Sequence, residues 1–130
     1  MKKFFFGLSI LATLGLQASD SLSLNMASMR DGMQSVQDGF LYNNKTTILD
    51  GLKKITKANE MFHNEASAAE FLPKEKKTLS KVAYLSSKSL NIYLSEMEEY
   101  VKENRIIEAS SSFSGVVHSC TRCHAIVRGW

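Results

Sequence analysis

The chain is poor in proline, glycine and cysteine, and each scarcity excludes something. Its single proline, Pro73, leaves long stretches on either side free to be helical. Glycine is sparse beyond the first 16 residues, and no internal repeat or low-complexity linker divides the chain. The only two cysteines, Cys120 and Cys123, close a loop too small to act as a useful structural staple. Beyond residue 16 no apolar run is long enough to span a bilayer. Charge of neither sign dominates: the formal net charge is +3, and the basic residues are spread along the chain. That balance argues against a nucleic acid or a strongly polyanionic partner. No catalytic acid–base pair and no nucleophile constellation stands out, so the chain does not read as an enzyme. A length of 130 residues suits one domain.

What is present begins with the N-terminus. Lys2 and Lys3 precede a mostly apolar stretch from Phe4 to Leu16, followed by Leu16-Gln17-Ala18. A short positive region, an apolar core and a small residue form the pattern of a cleavable export signal. We read residues 1–18 as that signal and residues 19–130 as the mature domain, located in the periplasm. A buried N-terminal helix or a retained anchor is the alternative. Loss of residues 1–18 removes two lysines and no acids. It leaves 14 basic against 13 acidic residues, a charge of about +1. A mature domain this small buries only about two-thirds of its unfolded surface, so a bound cofactor would add stability.

The mature region carries apolar residues with helical period. Leu22, Met26, Met29, Met33, Val36 and Phe40 step by four and three residues onto one stripe. Asn43-Asn44 breaks this segment. A second carries Ile48, Leu52, Ile55 and Phe62, and fades around Asn64 to Ala69. Pro73 suits the first turn of a third helix, with Leu79, Val82, Leu90, Tyr93, Met97 and Tyr100 on its inner face. Asn104 is placed to cap a fourth helix, with Ile106, Phe113, Val117, Cys120, His124 and Val127 on one stripe. The pattern predicts an all-α, antiparallel four-helix bundle. Its weak point is the stretch from Ser110 to Gly115, whose small residues are mediocre helix formers. They would leave room for a large planar cofactor.

That cofactor is implied by Cys120-Thr121-Arg122-Cys123-His124. C-x-x-C-H is the attachment signature of c-type haem. Each thiol adds across one haem vinyl group, forming a C–S bond and passing its hydrogen to the neighbouring carbon. The adjacent imidazole then reaches the iron. On a helix, positions 120, 123 and 124 fall on one side. Two other readings compete. A redox dithiol of the thioredoxin type normally opens a helix in an α/β fold. A zinc site needs four convergent ligands, and His118 would have to join Cys120, Cys123 and His124 from a different helical face.

A haem-attachment motif near the C-terminus of a small four-helix chain resembles the class II c-type cytochromes, the cytochrome c′ family. The resemblance covers residues 19–130. It implies covalent haem on Cys120 and Cys123 with His124 as axial ligand. Arg128, four residues after the histidine, matches a basic residue common at that place. Asn25-Met26-Ala27-Ser28-Met29 also looks like the first helix of the related soluble b-type four-helix cytochrome, where the methionine at the place of Met26 is the sixth ligand. Met29 and Met33, one and two turns along, are the other candidates. A methionine stripe is more often core than ligand. Where the family is five-coordinate, the iron has no sixth ligand and binds NO or CO.

The resemblance therefore implies a single-haem, one-electron carrier with a His/Met-ligated iron. The alternative is a gas-binding sensor or scavenger, and a thiol redox enzyme without haem is the third reading. Arg30 and Arg128 are candidates for a haem propionate or, for Arg128, the proximal histidine. Redox partners would dock transiently, and Lys53, Lys54, Lys57, Lys74, Lys76, Lys77 and Lys81 could form a docking patch or simply a solvated face. No membrane contact is expected after signal cleavage. A homodimer is common in the family, and no surface stripe in the sequence decides it. His63 and His118 read as surface residues, and Tyr84, Tyr93 and Tyr100 as packing.

Overall fold

The computed structural model describes residues 14–129, with side-chain burial from Ser21 onward, so most of the expected signal lies outside the described residues. The described residues form five α-helices and no strand. These are α1 (Leu14–Leu41), α2 (Lys45–Asn59), α3 (Glu65–Phe71), α4 (Ser80–Lys102) and α5 (Ile106–His124). α1 packs along α2 and α4 along α5, making two hairpins that meet chiefly through α2 and α4. The arrangement is compatible with a helical bundle. No helix among the described residues is long and apolar enough to cross a membrane.

Two asparagines make the hairpin turns. Asn43 and Asn104 adopt φ of 51° and 64°, a left-handed conformation that asparagine tolerates better than most residues. At the first turn the Asn44 N–H donates to the Gly39 carbonyl, and Asn43 to Phe40. At the second, Arg105 donates to Tyr100 and Asn104 to Val101. Both are Schellman closures, which satisfy carbonyls that the helix end leaves unpaired. Asn44 then accepts from the Thr47 N–H and caps α2. The expected N-cap role of Asn104 is thus corrected: it closes α4, and α5 starts at Ile106 without a side-chain cap. The Lys45 ammonium donates to the Asn104 side-chain oxygen and ties the two turns together. Phe40 and Phe113 close the same end, their ring centroids 5.9 Å apart.

Two further expectations are corrected. The region around Asn64 to Ala69 holds a short helix, α3, so there are five helices rather than four. Its Asn64 cap accepts from the Ser67 N–H at 2.8 Å. Of α3's own residues only Ala68 is fully buried, which is too little to print a helical stripe. Pro73 does not open an α-helix. It precedes a 3₁₀ segment, Lys74–Leu79, and α4 begins at Ser80. Four of those six residues are charged and none is buried, so nothing there drives an α-helix against the core.

The core is Val36 on α1, Ile48 and Ile55 on α2, Met97 and Val101 on α4 and Val116 on α5, each at most 1 % exposed. Glycine brings α1 and α2 close. A Cβ on Gly51 would lie 2.6 Å from the Gly32 carbonyl oxygen and 2.9 Å from the Val36 backbone nitrogen. Backbone atoms cannot swing aside, so a methyl group must push the hairpin apart. Gly51→Ala is expected to destabilise the chain by about 1–3 kcal/mol, read as a lower urea midpoint. An unchanged midpoint would show that the approach is looser than described.

Candidate functional site

Tight packing within each hairpin leaves a gap between them. α1 and α5 are not among the closely packed helix pairs. A cavity of about 560 Å³ opens between α1, α4 and α5, within the range usual for small-molecule and cofactor sites. Cys120, Cys123, His124, Met26, Arg30 and Arg128 all line it. A second cavity of about 640 Å³ shares Met26, Cys123, His124 and Arg128 with the first, and adds Lys74 and Lys77.

Spacing on α5 explains the placement of the motif. Ala109, Ser112, Val116 and Ser119 are its buried side, facing the rest of the fold. Of the stripe read from the sequence, Val117, Cys120 and His124 line the cavity, Val117 42 % exposed and the other two half-buried, whereas Phe113 packs against the core. His124 is the last residue of α5, and a π-helical turn, Ala125–Gly129, carries Arg128 beyond it.

The electrostatics hold all three groups of the motif neutral. Burial raises the Cys120 thiol above the ordinary cysteine range, and the neighbouring Cys123 adds to this. Burial likewise raises Cys123. The negative end of the α5 dipole also disfavours a thiolate there. A reactive redox dithiol is normally activated in the opposite direction, at a helix N-terminus. Burial, and then the Arg128 charge, lowers the His124 pKa below its ordinary value. At neutral pH its imidazole is uncharged, the form that binds a metal.

The three α1 methionines differ in position. Met26 is half-buried and lines both cavities together with His124. Met29 is 8 % exposed, belongs to the core cluster and lines only the first. Met33 lines the first and a groove further along α1 that lacks His124. Arg30 is largely exposed and pairs with its neighbour Asp31 at 2.9 Å. Arg128 makes no ion pair with a described residue. His63 and His118 are exposed, and neither lines the cavity. Among the described residues no three His, Cys, Asp or Glu side chains converge to hold a metal ion by themselves.

The small residues from Ser110 to Gly115 do not make room for a ligand in this cavity. The Ser110 and Ser111 hydroxyls donate to the Ile107 carbonyl. Ser112 is buried toward Glu96 of α4, and a Cβ on Gly115 would lie 2.5 Å from the Tyr93 ring. These residues serve the close approach of α5 to α4. Of the lysines named above, Lys74 and Lys77 edge the second cavity, while Lys53, Lys54 and Lys57 are solvated on α2.

Sequence reasoning missed Asn59, Ser86, Ser87 and Ser119, which are buried polar residues on the cavity wall. The adjacent serines inside an otherwise strong helix were the available signal. In comparisons with known proteins, no family model, curated protein or solved structure matches the chain.

With both thiols free, alkylation of the chain is expected to be slow at pH 7. It should rise about tenfold per pH unit until the raised thiol pKa values are passed. Fast, pH-independent labelling near neutrality would contradict the burial described.

Proposed function

We propose that the chain is an exported, single-haem c-type cytochrome of the class II, four-helix type that carries one electron. One observation carries the reading. The residues of a C-x-x-C-H motif and a methionine from a facing helix line the same, mostly apolar cavity. The donor set fits haem c. Two protonated thiols suit addition to vinyl groups, and one neutral imidazole and one thioether are donors that would hold its iron.

Bound haem would supply a reversible one-electron couple. The chain's own residues would do the rest. Cys120 and Cys123 anchor the group to α5. His124 presents an uncharged nitrogen. Met26 presents sulfur from α1, which favours ferrous iron relative to a second nitrogen. Met29, Leu90, Phe62 and Ala83 provide apolar walls that limit water. Arg128 is favoured over Arg30 as a carboxylate partner, because Arg30 is already paired and faces solvent. Contacts with redox partners would be small and short-lived.

The test is spectroscopic. The reduced wild type is expected to ignore carbon monoxide. Met26→Ala is expected to gain a prompt shift on carbon monoxide, while Met29→Ala mainly loses stability, by about 2–5 kcal/mol. A wild type that binds carbon monoxide at once would favour the five-coordinate, gas-binding reading instead.

A further inference from the structure

The cavity has a polar floor that neither the motif nor Met26 explains. Asn59, Ser86 and Ser87 are 2 %, 6 % and 5 % exposed, and all three line the cavity. The Asn59 amide nitrogen donates to the Ser87 carbonyl at 3.1 Å and to the Asn91 side-chain oxygen at 2.9 Å. Those two bonds fix the amide and leave its oxygen as the free end. No described residue donates to that oxygen. The Ser86 and Ser87 hydroxyls also make no hydrogen bond to a described residue. By contrast Ser119 and Thr121, which line the same cavity from α5, bond back to carbonyls one turn earlier, at 3.0 and 2.9 Å. The polar atoms of Asn59, Ser86 and Ser87 are not sealed in the interior but open onto the cavity, where an occupant can reach them.

We propose that Asn59, Ser86 and Ser87 bind an ordered water molecule in the floor of the cavity. The site offers one acceptor and two hydroxyls that both donate and accept, within the two to four partners a buried water requires. Met29, Leu90 and Ala83 line the same cavity with apolar surface, so the polar floor is where a water in it finds partners. The consequence for the cofactor rests on the function proposed above. With haem held in this cavity, hydrogen-bonding dipoles on the cavity wall would stabilise the ferric charge. They lower the reduction potential from the value that a His/Met pair in a dry pocket would give. Asn59, Ser86 and Ser87 are then tuning residues that act through this water.

The experiment compares the holoprotein with its Ser86→Ala/Ser87→Ala variant. Alanine is the better helix former, so the variant is expected to fold. A high-resolution crystal structure of the wild type should show water within hydrogen-bond reach of the Asn59 side-chain oxygen and a serine hydroxyl. The variant should lose that water and show a higher potential with an unchanged absorbance spectrum. A dry floor, with the hydroxyls turned onto the carbonyls of Val82 and Ala83, would overturn the proposal. An unchanged potential would overturn it too. If the isolated chain carries no haem, the proposed function fails, and the crystal structure alone still decides the water site.

Discussion

The structure depends on a contrast in packing distance. Within each hairpin the helices approach until backbone and ring atoms block any added methyl group, at Gly51 against Gly32 and at Gly115 against Tyr93. Between the hairpins α1 and α5 do not close. They meet through Phe40 and Phe113 at the turn end, where Lys45 also reaches Asn104. At the other end they stand apart. The cavity is therefore a product of where the small residues sit. They pull α1 onto α2 and α5 onto α4, and leave the α1–α5 seam unfilled.

That seam gathers both cysteines, three of the six methionines and one of the three histidines. Protein interiors are normally filled to crystal-like density, so a gap lined by Met26, Cys120, Cys123 and His124 is costly unless something occupies it. A covalently held planar group would restore the missing contacts and add its binding energy to the stability of a small domain. The neutral state of His124 and of both thiols fits this role better than it fits thiol redox chemistry.

Much of this was legible in the sequence, though unevenly. The α1 stripe, the break at Asn43-Asn44 and the C-x-x-C-H motif were readable because each depends on local spacing. Asn104 was read as starting a helix when its left-handed backbone ends one, since asparagine serves both positions. α3 escaped because it buries only Ala68, and apolar period cannot register a single residue. The α5 stripe was found, but spacing alone does not say which of its residues meet packed protein and which the cavity. An apolar face toward a cavity and one toward packed protein look alike in sequence. Asn59, Ser86 and Ser87 were invisible as a set because α2 and α4 bring them together across sequence separations of 27 and 28.

The central claim is covalent attachment of one haem to Cys120 and Cys123. Its most direct test is the intact mass of the exported mature protein under denaturing conditions. The account predicts the polypeptide mass plus one haem, and the bare polypeptide when both cysteines are replaced by alanine. A wild-type mass equal to the unmodified chain, in a host that matures c-type cytochromes, would contradict it.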